Sequence, residues 1–164
     1  MSVWFSFEAP LSGNATVTTD IAGGSLNDTE ITIYEAPTDC ADLLTLGAEI
    51  ACDQDGGGTT GHNWRSIATM TGLTPGNTYY IQVDGYGSST GTFGIEVHDD
   101  GYDGFVYENG TWSPQNPSGV ATTADNIYVI NGTTSLTANT GVNNLTIMSG
   151  ATLEINNVLT LGGD

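Results

Sequence analysis

The sequence predicts an all-β chain, a jelly-roll or β-sandwich followed by the first rungs of a parallel β-helix. Three observations predict it. No stretch of ten or more residues carries a 3.6-residue apolar period, so helices are expected to be almost absent. Residues 1–98 break into six or seven short alternating runs with turn signals every 8–12 residues or so, the spacing of a sandwich. From Asp125 onward the texture changes, and short strand-like runs ending in Gly or Asn recur at about one coil length.

Taken in order, Val3 to Phe7 reads as a strand with Val3, Phe5 and Phe7 on one face. Gly13 to Thr19 follows, with Ala15 and Val17 alternating against Asn14, Thr16 and Thr18. The Gly23-Gly24 and Asn27-Asp28 clusters break the chain before Glu30 to Tyr34, a half-buried strand with Ile31 and Ile33 inward and Glu30, Thr32 and Tyr34 outward. A loop bounded by Cys40 and Cys52 and a Gly56-Gly57-Gly58 run precede a strand over Arg65 to Met70. Leu73-Thr-Pro-Gly-Asn77 then predicts a type II turn, with Pro75 fixing φ at its second position and Gly76 supplying φ > 0 at its third. That turn is expected to join Arg65–Met70 and Tyr79–Val83 as an antiparallel hairpin. Phe93, Ile95 and Val97 are expected to alternate inward along a last strand.

Residues 99–124 read as a junction, opening after His98 with Asp99-Asp-Gly-Tyr-Asp-Gly104. Over 125–164, Asn126-Ile-Tyr-Val-Ile-Asn-Gly, Asn144-Leu-Thr-Ile-Met-Ser-Gly-Ala and Val158-Leu-Thr-Leu-Gly-Gly align as successive rungs, with offsets of 18 and 14 residues. Each rung of such a stack buries its apolar face only when the next one covers it.

Acidic residues number 19 against one base, Arg65, and there is no lysine, giving a formal charge of -18. Such a field repels phosphate backbones, which excludes nucleic acid as a partner, and it disfavours anionic membrane surfaces. No apolar run approaches the roughly 18–20 residues needed to span a bilayer, so membrane insertion is not expected. The acidity suits saline surroundings or a store of oxygen ligands for hard cations such as calcium, and both point outside the cell. The two cysteines, Cys40 and Cys52, lie too far apart for a redox pair and predict a local disulfide in an oxidising compartment, a bridge that contributes about 2–3 kcal/mol by constraining the unfolded chain. Met1 leads directly into VWFSF without a basic leader, and Gly162-Gly163-Asp164 stops in mid-pattern, so the chain reads as a piece of a longer protein.

The series Val3-Trp-Phe-Ser-Phe-Glu-Ala-Pro, Asn27-Asp-Thr-Glu-Ile-Thr-Ile-Tyr, Cys52-Asp-Gln-Asp, Leu73-Thr-Pro-Gly-Asn-Thr-Tyr-Tyr-Ile-Gln-Val-Asp-Gly-Tyr and Gly91-Thr-Phe-Gly-Ile-Glu-Val resembles the bacterial pre-peptidase C-terminal domain family over residues 1–97. The resemblance implies a CUB-like jelly roll appended to secreted enzymes and adhesins, without catalytic residues of its own. Residues from Thr111-Trp-Ser-Pro to Leu145-Thr-Ile-Met-Ser-Gly-Ala-Thr-Leu look like the start of the solenoid in large surface proteins exported by type IX secretion. A fibronectin-like module is the alternative fold; the opening VWFSF strand and the cysteine loop argue against it.

Candidate chemistry follows from the acids. Asp28, Asp53 and Asp55 are expected to converge on a calcium ion at one end of the sandwich, with Glu30 and Asp84 as further ligands, and the resemblance supports calcium there. The alternative is that Asp28 caps a turn and Asp53 and Asp55 solvate a loop. Asp99, Asp100 and Asp103 are candidates for a second ion stiffening the junction; no EF-hand loop is present. His62 and His98 accompany no nucleophile motif and read as surface histidines. Trp64, Tyr86 and Trp112, beside Gly-rich turns, are candidate glycan contacts; the competing reading places Trp4 and Trp64 partly in the core and packs Tyr86 on its own turn. The expected function is a non-catalytic, calcium-stabilised extracellular or cell-surface module that acts in adhesion or as a spacer. Its expected partners are the other domains of its own polypeptide, surface glycans or neighbouring copies. The alternatives are a carbohydrate-binding accessory module of an exported hydrolase, or a piece of a β-helix lyase.

Overall fold

The computed structural model describes residues 2–36, 46–47, 49–58 and 63–162. Among these every regular element is a strand, and none is a helix able to cross a membrane. The chain divides into two compact units, Met1–Gly101 and Tyr102–Asp164.

The first unit is a β-sandwich of seven strands: β1 (Val3–Glu8), β2 (Ala15–Thr18), β3 (Thr29–Glu35), β4 (Glu49–Asp53), β5 (Ile67–Met70), β6 (Thr78–Gly85) and β7 (Glu96–Asp99). One antiparallel sheet has the order β1-β6-β3-β4 and the other β5-β2-β7. The alternation read from the sequence sets which side chains fill the space between them. Ile31 and Ile33 of β3, Ile81 and Val83 of β6, Ala15 and Val17 of β2, and Ala68 and Met70 of β5 form one buried cluster, closed at its margin by Phe5, Phe7, Phe93 and Ile95. Burying an Ile or Val side chain stabilises by about 1.5–3 kcal/mol, and here both sheets supply such residues.

Three expectations change. The Leu73–Asn77 turn forms, with Gly76 at φ 78° and the Asn77 amide donating to the Thr74 carbonyl at 3.1 Å. It does not close a hairpin, because β5 pairs with β2 while β6 pairs with β1 and β3, so the turn carries the chain from one sheet to the other. The last strand begins only at Glu96, and Val97 is exposed; Phe93 and Ile95 reach the core from the irregular segment before it. The end of the cysteine loop, around Cys52, holds a strand, β4, where the sequence predicts a loop.

The loop 19–27 is held by the chain's one arginine. Arg65 is 1% exposed, and its guanidinium donates from Nη1 to the carbonyls of Thr19 and Ile21 and from Nη2 to the Gly23 carbonyl (2.8 Å) and Asn27 Oδ1 (3.0 Å). Beside it, the Ser66 amide donates to the hydroxyls of Thr19 (3.0 Å) and Thr29 (3.1 Å), all three residues being fully buried. Buried polar groups demand such partners, and the arginine fork supplies several at once.

The second unit is a parallel solenoid of about three turns. It comprises β8 (Phe105–Glu108), β9 (Thr111–Ser113), β10 (Ile127–Val129), β11 (Thr133–Leu136), β12 (Thr140–Val142), β13 (Leu145–Ile147), β14 (Thr152–Ile155) and β15 (Leu159–Leu161). Strands β8, β10 and β13 stack in parallel on one side, β11 and β14 on a second, β12 and β15 on a third. Ile127 pairs with Leu145, an offset of 18 residues, and Thr133 with Thr152 and Thr140 with Leu159, offsets of 19. The expected 18-residue repeat is therefore one coil. The expected 14-residue step is not: Leu159–Leu161 is the third side of the same coil as Leu145, stacked on Thr140–Val142. The stack also reaches back before residue 125, since Phe105 pairs with Ile127.

Short strands of this kind bury little each, so side chains tie the coils together. Asn144 Nδ2 donates to Asn126 Oδ1 (3.2 Å), and Asn126 Nδ2 to the Asp103 carbonyl (3.1 Å). A second ladder joins Asn131 Nδ2 to Asn109 Oδ1 at 3.2 Å. Stacked asparagines at equivalent turns repeat one amide bond from coil to coil. Inside, Ile127, Val129, Leu136 and Val142 are almost wholly buried. Gly141 has no room for a side chain: a Cβ there would lie 2.6 Å from the Thr122 carbonyl carbon and the Thr123 nitrogen.

Candidate functional site

The open face of the β1-β6-β3-β4 sheet presents the polar half of each alternation. The registers define its rows. Asp84 of β6 lies opposite Glu30 of β3; Gln82 lies between Trp4 of β1 and Thr32 of β3, which in turn faces Cys52 of β4; Tyr80 lies between Ser6 and Tyr34. A trough of about 330 Å³ runs over this face and its β4 end, lined by Glu30, Thr32, Glu49, Cys52, Asp53, Gln54, Gln82 and Asp84 among others.

The trough is acidic and partly ordered from within. Gln82 Nε2 donates to Ser2 Oγ (3.1 Å), which donates to Asp84 Oδ2 (2.9 Å), while the Gly85 amide donates to Asp84 Oδ1 (2.9 Å). The Ser2 and Gly85 hydrogen bonds hold the Asp84 carboxyl below the ordinary aspartate range. A hydrogen bond to Glu49 pushes the Cys52 thiol up, helped by burial and by the charges of Glu49 and Asp53. A thiol kept protonated is a poor nucleophile.

Of the five expected calcium ligands, Glu30, Asp53 and Asp84 line the trough. Glu30 and Asp84 share the open face, but Asp53 lies opposite the inward Ile31, and its Oδ2 accepts the amides of Gly56 (2.8 Å) and Ile67 (2.7 Å), stitching β4 to β5. Asp55 is exposed just beyond β4. Asp28 immediately precedes β3, and its Oδ1 is buried without a hydrogen-bond partner among the described residues. Among the described residues no group of three or more His, Cys, Asp or Glu is placed to hold a metal ion. Of the second set, Asp99 Oδ1 accepts Ser12 Oγ (2.5 Å) and the Gly101 amide (2.9 Å), and Asp100 Oδ2 accepts Thr16 Oγ1 (2.8 Å). Both belong to the first unit and Asp103 to the second.

Among the described residues Cys52 is exposed and has no disulfide partner; Cys40, its expected partner, and His62 lie outside them. His98 is exposed on β7 and 3.2 Å from Glu96.

Of the expected glycan contacts, Trp64 is 60% and Tyr86 53% exposed, and both adjoin Asp28 through backbone pairing. Trp112 is instead half-buried in the solenoid, packed on its core and on Tyr107 (centroids 5.2 Å apart), with Nε1 donating to Thr134 Oγ1 (3.0 Å). Sequence reasoning missed an aromatic pair on the same open face, Trp4 and Tyr34. Trp4 is 43% exposed, outside the core that its competing reading gave it, and its ring lies 6.0 Å from that of Tyr34. The signal was present, since both occupy outward positions of alternating strands.

No protein-family model, curated protein or solved structure gives a significant match to the chain. Function must therefore be argued from the geometry and from the residues themselves.

Proposed function

We propose that the chain is a non-catalytic, calcium-stabilised extracellular module of a large secreted or cell-surface bacterial protein, acting in adhesion or as a structural spacer. The observation that carries the reading is a sandwich unit followed in the chain by a parallel coil stack, in which equivalent side chains repeat from coil to coil and present surface. The resemblance of residues 1–97 to the pre-peptidase C-terminal family supports it.

Several groups that chemistry would need are already engaged. The arginine is caged by carbonyls, Asp53 and Asp84 accept backbone and hydroxyl donors, and the Cys52 thiol is held protonated. Calcium is supported by the buried Asp28 Oδ1, without a partner among the described residues, and by Glu30 directly opposite Asp84, since like charges across strands repel and the chain's one base is buried elsewhere. In an oxidising exterior the reading adds the Cys40–Cys52 disulfide, checked by mass spectrometry before and after reduction.

The test is thermal unfolding in EDTA and in millimolar calcium, with magnesium at equal ionic strength, because a ligand that binds only the folded state raises its midpoint by mass action. A calcium-specific rise of several degrees that Asp28→Ala abolishes supports the metal; equal midpoints in all three remove it and leave an unliganded spacer. The exposed Trp4 beside a polar trough favours a second reading, a carbohydrate-binding accessory module.

A further inference from the structure

We infer that the open face of the β1-β6-β3-β4 sheet binds a pyranose chain without acidic groups, one sugar stacking on the Trp4–Tyr34 pair and its polar edge entering the trough over Thr32 and Gln82. The inference rests on the carbohydrate-binding reading and names its site and ligand class.

Sugars are recognised by a flat apolar surface for the C–H face of the ring and by a few fixed polar groups for its hydroxyls. Both occur here within one sheet. Trp4 stands opposite Gln82, exposed by 43%, and leans toward Tyr34 at a centroid distance of 6.0 Å with 34° between the rings. Gln82, the register partner of Trp4, and Thr32, two residues before Tyr34 on β3, line a cavity of about 330 Å³. Its polar groups are fixed before a ligand arrives, because Gln82, Ser2 and Asp84 form a hydrogen-bonded string and all stand on paired strands or beside them. A site on strands loses little freedom on binding.

The lining also selects by charge. Glu30 and Asp84 face each other across the β3–β6 ladder, and their paired negative charges suit hydroxyl or ammonium donors and repel uronate or sialate carboxylates. The shared chemistry is therefore a pyranose rich in donors and free of negative charge, whether a neutral hexose or an amino sugar. The exposed Trp64 and Tyr86 supply the internal comparison, since they adjoin Asp28 on loop segments rather than the trough.

The experiment is calorimetric titration of the whole chain with a neutral cello-oligosaccharide, a de-acetylated chito-oligosaccharide and an oligogalacturonate. Binding of the neutral or the amine-bearing ligand is expected, and which of them binds identifies the source. Trp4→Ala should weaken it roughly ten-fold or more, as loss of a central aromatic anchor does. Trp4→Phe should restore part of the affinity, and Trp64→Ala should leave it unchanged. Thermal midpoints within a few degrees of wild type establish that the variants fold. Full affinity in Trp4→Ala, or loss in Trp64→Ala, overturns the site while the carbohydrate reading survives. No binding of any ligand, or equal binding of the galacturonate, overturns both the site and its chemistry.

Discussion

Replacing Arg65 by alanine tests whether one buried cation holds the loop 19–27 onto the sandwich. The guanidinium is 1% exposed and serves three backbone carbonyls and the Asn27 side chain. Truncation takes this donor from the Ile21 and Gly23 carbonyls and Asn27 Oδ1, while the Thr19 carbonyl keeps the Ile21 amide (2.9 Å), and it opens a void where the aliphatic stem lay. Hydrogen bonds to charged groups are worth about 1.5–3 kcal/mol each, but water reaching the exposed stretch around Gly23 recovers part of that, so about 3–5 kcal/mol in total is expected. Against a typical domain stability of about 5–15 kcal/mol this is about a fifth of the whole or more. At about 4–8 °C per kcal/mol for a domain near 100 residues, the midpoint of the first unit should fall by roughly 12 °C or more. Urea unfolding followed by tryptophan fluorescence measures the loss, and hydrogen exchange should locate it in residues 19–27. Arg65→Lys should recover only part, because an ammonium cannot reproduce the fork. A loss below about 1 kcal/mol for Arg65→Ala would refute the argument that the carbonyl cage depends on its cation.

Two further outcomes follow. Gly141→Val places a side chain where even a Cβ would sit 2.6 Å from Thr122 and Thr123 backbone, so the solenoid should lose about 1–3 kcal/mol or more, read as a lower midpoint with the first unit unchanged. Acidification should weaken both units: Asp84 is held below the ordinary range by Ser2 and Gly85, and Asp125 by the amide and hydroxyl of Thr122. Carboxyls depressed in the folded state stabilise it above their unfolded pKa and lose that effect as pH falls through the folded value, so Asp84→Asn and Asp125→Asn should each flatten the acid limb of a stability-against-pH curve.

Much of the fold was legible because burial repeats with the period of the backbone. Ile31 and Ile33, Ala15 and Val17, and the 18-residue return from Ile127 to Leu145 all follow from alternation and coil length. What failed was the step from local chemistry to pairing. Pro75 and Gly76 specify a turn, but a turn says nothing about whether the two strands it joins share a sheet, and in a sandwich the neighbours of β6 are β1 and β3. The third side of the coil was misread for a related reason: Leu159–Leu161 looks like any other rung, and only its stacking on Thr140–Val142 assigns it to a side.

The site shows the same division between what one strand can say and what register adds. An abundance of acids made every carboxylate a candidate ligand, yet the fold gives them different partners. Asp53, opposite Ile31 at the β4 end of the trough, accepts two amides, while Glu30, one residue from Ile31 in the neighbouring strand, stands opposite Asp84. Register thus divides a set that sequence proximity to glycine loops had grouped. It also gathers what the sequence left scattered, since Trp4, Gln82, Thr32 and Tyr34 lie up to 78 residues apart and meet because each occupies an outward position on neighbouring strands. Recognition by this face would therefore depend on the β1–β6–β3 register as much as on the residues. A one-residue slip of β1 would turn Trp4 into the core and Phe5 to solvent, a change the buried margin at Phe5 and Phe7 opposes.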